Sequence, residues 1–179
     1  MPLRILTPDD AQAFHELRIE TITNDPWGFG WTIEEMRATP LATFARRLGP
    51  GDSGDDFVLG LEEAGRLRGC AGFEREPRTR CRHRGLVWGV YLAPELRGHG
   101  MGRRLMEELL RKASALPGLE QIKLRVVPRQ EPARALYRSL GFALCGTEPQ
   151  AFKSGDTYDD VETWVLKVAT RFQRGHQGL

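Results

Sequence analysis

The chain reads as an α/β protein, a mixed sheet flanked by helices within one domain. Three observations lead there. Residues 86–92, 101–115 and 122–127 follow one another as apolar strand, amphipathic helix and apolar strand, which is one βαβ crossover. Residues 57–61 and 68–74 read as two antiparallel strands around a turn at Glu63-Ala64-Gly65. The 179 residues, 40% of them hydrophobic, can bury a sizeable core, and no linker or repeat divides them. The expected organisation is one domain over 1–179, with 170–179 as a loose tail.

At the N-terminus, Leu3-Arg4-Ile5-Leu6 forms a short strand. Thr7-Pro8-Asp9-Asp10 then opens a helix, with Thr7 as cap and Pro8 where a missing N–H costs nothing. Ala11, Phe14, Leu17 and Arg18 set its period. Residues 24–31 carry Pro26, Gly28 and Gly30 beside Trp27, Phe29 and Trp31, so they form a loop of unusual aromatic content. Such a loop is either a pocket wall or a clasp between two helices. A second helix is expected over 32–48.

The polar, glycine-rich run 49–56 reads as an exposed connection without chemistry. The basic stretch Arg78-Thr79-Arg80-Cys81-Arg82-His83-Arg84 reads as a solvated hairpin rather than a nucleic-acid site. In the strand that follows, Leu86, Trp88, Val90 and Leu92 alternate with Val87, Gly89 and Tyr91, so both faces are largely covered and the strand belongs at the sheet's centre. Leu105, Met106, Leu109, Leu110 and Ala113 give the next helix its apolar stripe, and Leu116-Pro117-Gly118 ends it. Pro128 cannot donate to a ladder and suits a strand that stops pairing there.

Between that central strand and the helix lies Arg97-Gly98-His99-Gly100-Met101-Gly102. Glycines at alternate positions let a backbone approach a bulky ligand, and the free N–H groups of a helix's first turn point at negative charge. A phosphate-bearing guest is expected. A P-loop would need Lys-Ser/Thr after Gly102, where Arg103-Arg104 stand. A dinucleotide fingerprint would need a third glycine at Arg103 and an acidic residue closing the next strand, which ends Val126-Val127-Pro128.

The run Val90-Tyr91-Leu92-Ala93-Pro94-Glu95-Leu96-Arg97-Gly98-His99-Gly100-Met101-Gly102 resembles the acyl-CoA pyrophosphate motif of the GNAT superfamily of N-acyltransferases. Downstream, Gln130-Glu131-Pro132-Ala133-Arg134-Ala135-Leu136-Tyr137-Arg138-Ser139-Leu140-Gly141-Phe142 resembles that superfamily's second signature, with Gln130 where Asn is usual. The resemblance implies a GNAT-like fold, with a twisted sheet whose two central parallel strands splay so that a pantetheine arm fills the gap. It implies acetyl-CoA as co-substrate and direct transfer of the acetyl group to a primary amine of a small molecule or protein, through a tetrahedral intermediate. A homodimer is expected on the same ground.

Carried over residue by residue, the resemblance assigns the cofactor to Tyr91, Leu92, Arg97, Gly98, His99, Gly100, Met101, Gly102, Arg103, Gln130 and Tyr137. Tyr137, on the helical apolar stripe Ala133, Leu136, Tyr137 and Leu140, is expected to protonate the leaving thiolate, because a phenol of pKa about 10 is protonated at neutral pH. The N–H of Val90 would hold the developing oxyanion. Several relatives place a glutamate at the position of Leu86, so the base must come from elsewhere; Glu74 is taken as the candidate, with His83, Glu34, Glu35 and Asp159 behind it. Trp27, Phe29, Trp31, Glu34 and Asp159 are assigned to the acceptor.

Composition bounds the alternatives. A formal charge of +2 gives little attraction for nucleic acid or an anionic membrane, and no apolar run approaches the roughly 20 residues of a membrane span. Cys70, Cys81 and Cys145 are odd in number and lack Cys-x-x-Cys spacing, which together with the absence of an apolar leader suggests a reducing cytoplasm. Scattered histidines give no metal pattern, and Cys70 and Cys145 lack a histidine partner that would make either a nucleophile. The competing classes are a CoA-binding sensor without turnover and a nucleic-acid module built on Arg78, Arg80, Arg82 and Arg84.

Overall fold

The computed structural model describes residues 1–168, so the tail expected over 170–179 lies outside the described residues. One seven-stranded sheet organises them, in the order β1-β2-β3-β4-β5-β7-β6. The strands are β1 Leu3–Ile5, β2 Phe57–Glu63, β3 Arg66–Arg75, β4 Arg84–Leu92, β5 Gln121–Val126, β6 Ala143–Ser154 and β7 Thr157–Lys167. Every neighbouring pair is antiparallel except β4 and β5. Those two are joined by the helix α4, Met101–Ser114, as the crossover pattern requires.

β4 and β5 pair over only four registers, from Arg84 opposite Gln121 to Val87 opposite Leu124. β4 continues to Leu92 while β5 turns its other edge to β7 along its whole length. The strands therefore part beyond Val87, leaving a gap in the middle of the sheet.

Helices α1 Ala11–Asn24, α2 Ile33–Ala38 and α3 Leu41–Arg47 cover one face, where Phe14, Leu17, Met36 and Phe44 join Val58 and Tyr91 in one buried cluster. On the other face α4 and α5, Glu131–Ser139, bring Leu105, Met106, Leu109 and Tyr137 against Phe73, Val87, Ile122 and Leu124. None of the described helices is long and apolar enough to cross a membrane.

Three sequence expectations are corrected. The single helix over 32–48 is two helices, α2 capped by Thr32 through a reciprocal bond with Glu35, and α3 starting after Pro40, which has no N–H to continue the ladder. The simple alternation of β4 fails at Gly89. There φ is +62°, and Gly89 and Val90 together oppose one residue of β3, since Cys70 pairs with Tyr91 and Gly72 with Trp88. This bulge puts Trp88 and Tyr91 on the α1 face, and Val87 and Val90 on the α4 face.

The third correction concerns residues 49–56, which are pinned rather than merely exposed. Arg75 is only 5% accessible, and its guanidinium donates to Asp55, to the Arg82 carbonyl and to the Pro117 carbonyl, each at 2.7 Å. Asp56 accepts from the Arg75 N–H and from Ser53 Oγ. A buried cation needs such acceptors, and the loop supplies the one that carries charge, Asp55.

Candidate functional site

The gap between β4 and β5 opens toward the Gly98–Gly102 loop. Gly98 and Gly100 hold φ values of +77° and +78°, a conformation that side chains rarely adopt, and a Cβ on either would meet nothing within 4 Å. The loop is thus concave and open on the side a ligand would enter. Among the described residues no acceptor takes the main-chain N–H groups of residues 98 to 103, so six donors converge at the start of α4. An anion of the size of a diphosphate suits that donor set.

The charged flanks are already engaged. Arg97 donates through Nε to the Leu92 carbonyl at 2.8 Å and forms an ion pair with Asp25 at 2.5 Å. Arg103 reaches Ser139 on α5 at 2.6 Å and Glu107 at 3.2 Å. The cradle is therefore chiefly a main-chain device, with His99 and Met101 following the loop's course. Gly102 has helical geometry, and a Cβ there would touch Leu136 on α5 at 3.6 Å, an ordinary contact.

Along β4, the Ala93 N–H bonds to the Arg68 carbonyl, which turns Ala93 and Tyr91 toward β3 and the main chain of Leu92 toward the gap. At the bulge the Gly89 carbonyl accepts from Cys70 Sγ at 3.3 Å and from Arg18 Nη1 at 3.4 Å, both on the α1 face. The peptide is planar and trans, so the N–H of Val90 points the other way. The side chain of Tyr91 belongs to the α1 face instead of the gap. Its hydroxyl accepts from Asn24, donates to Glu20, and is pushed up to about 12 chiefly by burial.

Tyr137 projects from α5 into the core beside the gap, 6% exposed and tilted against Phe142 at 6.0 Å. Burial raises the phenol's pKa above its ordinary value. Only burial acts on the phenol, with no neighbouring charge or hydrogen bond contributing to the rise. Gln130 stands just before α5 without a side-chain capping bond, and a Cβ on Gly28 would lie 2.4 Å from its Nε2, so the 24–31 loop rests directly on that amide.

Trp27, Phe29, Trp31 and Asp159 line one cleft of about 640 Å³ together with Ile22, Phe152 and Lys153. The aromatic loop is thus a pocket wall, closed on the far side by the β6–β7 hairpin. Asp159 is buried and ion-paired with Arg129, whose guanidinium lies 5.1 Å from the centre of the Trp27 ring. Glu34, by contrast, is exposed on the first turn of α2 and is not part of this lining.

Glu74 stands apart as well. It pairs opposite Leu86 and meets Arg47 at 3.5 Å in a smaller cleft of about 290 Å³ with Arg46, Asp56 and Trp88. Among the described residues no group of three or more His, Cys, Asp or Glu could hold a metal.

The sequence reading missed two contributors. Arg129 carries no motif signal, and its place on Asp159 and Trp27 comes from the fold alone. Arg18 was legible as a buried helix position but not as a buried cation on the bulge. Its pKa is lowered by that burial.

A protein-family model described as the acetyltransferase (GNAT) family matches residues 17–142. The N-alpha-acetyltransferase RimI of Mycobacterium tuberculosis is 32% identical over 149 residues, which span 83% of this chain and 82% of that protein. The crystal structure of a ribosomal-protein-alanine N-acetyltransferase from Brucella melitensis superposes with a TM-score of 0.78 at 24% identity, covering 93% of this chain and 99% of the other. A phosphinothricin acetyltransferase from Sinorhizobium meliloti, solved in complex with AcCoA, gives a TM-score of 0.77 at 25% identity over 93% of this chain and 88% of its own.

Proposed function

The chain belongs to the GNAT acetyltransferase family, and from that premise we propose that it moves an acetyl group from acetyl-CoA to the primary amine of an acceptor. The transfer is direct, with no acyl-enzyme. The observation that carries the reading is the set of six unpaired N–H groups at residues 98 to 103, placed over the point where β4 and β5 part. Acetyl-CoA supplies the activated acyl group, and everything else is positioning and proton management.

In this reading the loop amides hold the diphosphate, and the main chain of Leu92 and the amide of Gln130 face the pantetheine. The N–H of Val90 meets the carbonyl oxygen as it gains charge, a donor whose loss typically costs roughly a hundredfold. The free amine nitrogen adds to the thioester carbonyl to form the C–N bond of a tetrahedral intermediate, whose collapse breaks the C–S bond while the nitrogen gives up its extra proton to water, which later restores the proton Tyr137 donates. Tyr137 gives its proton to the departing thiolate, and the raised phenol pKa keeps that proton in place beforehand.

The acceptor enters by the aromatic cleft of Trp27, Phe29 and Trp31, and the proton of its ammonium leaves to water there, because Glu74 is held by Arg47 in the other cleft. We place the reaction in the cytoplasm, a reading supported by three free cysteines. The test is thiol release from acetyl-CoA against a panel of primary amines. Turnover on at least one amine supports the proposal, and tight acetyl-CoA binding with no turnover on any would replace it with a binding protein.

A further inference from the structure

We propose that the acceptor is a primary monoamine carrying an aromatic or similarly bulky apolar body, which lodges among Trp27, Phe29, Trp31 and Phe152, and that polycationic amines are excluded. This rests on the transfer reading above and adds to it the acceptor's chemical class.

The walls argue for the apolar body. At about 640 Å³ the cleft has the size of a pocket for a ring-bearing molecule, far more than a two-carbon amine fills. Three aromatic rings line it from the 24–31 loop and a fourth, Phe152, from the β6–β7 hairpin. Trp27 and Trp31 are 48% and 50% exposed, so half of each large ring faces water. An apolar guest that covers them removes that surface from solvent, and ring-on-ring contacts add to the gain beyond the area covered. Loop and hairpin meet at Gly30, where a Cβ would stand 3.1 Å from the Phe152 ring.

Charge argues against a second ammonium. A cation taken into a cleft needs an acid to pair with it. Among the described lining residues Asp159 is the one acid and Lys153 the one base. Asp159 is already ion-paired with Arg129. Ring faces that attract cations are engaged too, since Arg129 stands 5.1 Å from the centre of the Trp27 ring and Arg18 4.8 Å from that of Phe29. A polyamine or aminoglycoside would bring extra ammonium groups against Lys153 and Arg129 with no free acid in the lining to receive them.

Position connects the cleft to the transfer. Asp25, at the start of the aromatic loop, pairs with Arg97 at the head of the glycine run, and Gly28 rests on Gln130 just before α5. The aromatic wall therefore borders the elements that would hold the cofactor.

The experiment measures thiol release from acetyl-CoA with tryptamine and phenethylamine, against ethanolamine and against spermidine, in the wild-type protein and in Trp31→Ala. Preference for the aromatic amines over both others by at least about tenfold in kcat/KM, expressed through KM and reduced in Trp31→Ala, supports the proposal. A smaller preference or none in the wild type overturns it, and so does a Trp31→Ala variant that lowers all four amines alike. Short peptides with a free N-terminal Trp or Phe form a further arm. Their use in preference to the free amines keeps the class and makes a chain terminus its source.

Trp31 is half exposed, so its replacement leaves the buried core in place, and calorimetry of tryptamine and spermidine with the CoA-loaded wild type gives a readout independent of turnover. Selective binding of tryptamine there supports the class even if no amine is acetylated. Failure of turnover alone then counts against the transfer reading, whereas binding without selectivity, or no binding of either amine, counts against the aromatic cleft as the acceptor's pocket.

Discussion

Gly100 offers the sharpest division between fold and ligand. Its φ of +78° and the open space around it mean that a side chain meets no atom but does meet backbone strain, about 1 kcal/mol for Asn or Asp, the residues that tolerate this conformation best. Gly100→Asn and Gly100→Asp therefore differ from each other only in charge, and the carboxylate, next to a helix N-terminus, recovers about 0.3–1 kcal/mol of that strain. Thermal melts should place the aspartate variant level with the asparagine one or slightly above it.

Toward acetyl-CoA the order reverses. A carboxylate about 4 Å from a phosphate at a protein surface, with an effective dielectric near 20, costs about 4 kcal/mol, which is roughly a thousandfold in affinity. Calorimetry with acetyl-CoA should find Gly100→Asn within about tenfold of wild type and Gly100→Asp weaker by two to three further decades. If the two bind equally, the diphosphate does not rest on this loop and the cradle argument is wrong.

Tyr137→Phe should cut turnover about a hundredfold or more while leaving acetyl-CoA affinity and melting temperature nearly unchanged, because burial alone, and no neighbouring charge or hydrogen bond, acts on the phenol in the described fold; undiminished turnover would remove it as the acid. Ala64 holds φ of +49° in the two-residue turn between β2 and β3, so Ala64→Asn creates the Asn-Gly pair that such turns favour, with a gain of about 1 kcal/mol and about 2–4 °C in melting temperature. A lower melting temperature would show that the turn is not of this type.

Asp10 accepts from Arg4, which holds its carboxyl down to about 2. A depressed pKa in the folded state contributes stability above the ordinary carboxylate value of about 4, and that contribution is lost as pH falls toward 2. Asp10→Asn should lower stability at neutral pH by about 1 kcal/mol after solvent screening and flatten the melting curve's pH dependence between about 4 and 2. Equal slopes in that window for both proteins would contradict the ion pair.

Much of this architecture was legible because local chemistry and tertiary role coincide. The crossover around α4, the Glu63-Ala64-Gly65 turn and the buried stripe of Leu105, Met106 and Leu109 follow from periodicity and turn residues, and the glycine loop announces its own need for positive φ. The bulge at Gly89 was not legible. A glycine within an alternating apolar strand looks like any small residue, and only the register against Cys70 and Gly72 reveals the extra position.

Helix 32–48 failed for a different reason, since Ile33, Met36 and Phe44 keep an apolar rhythm across Pro40 even though the ladder is broken. Residues 49–56 looked idle because their acids serve Arg75, a partner about 20 positions away. The site was half visible. The glycine loop and Leu92 face the gap while the Tyr91 side chain turns to the α1 face, and Arg129 meets Asp159 and Trp27 only through the fold, which no string of residues records.

The shortness of the β4–β5 seam has a practical consequence. Four paired registers join one half of the sheet to the other, and a strand-like guest would knit the remainder. A ligand present at a hundred times its dissociation constant adds about 2.7 kcal/mol to the folded state. On the proposed reading, the protein's resistance to heat and to proteases would then rise and fall with the supply of acetyl-CoA, making its own persistence a gauge of the cell's acetyl reserve.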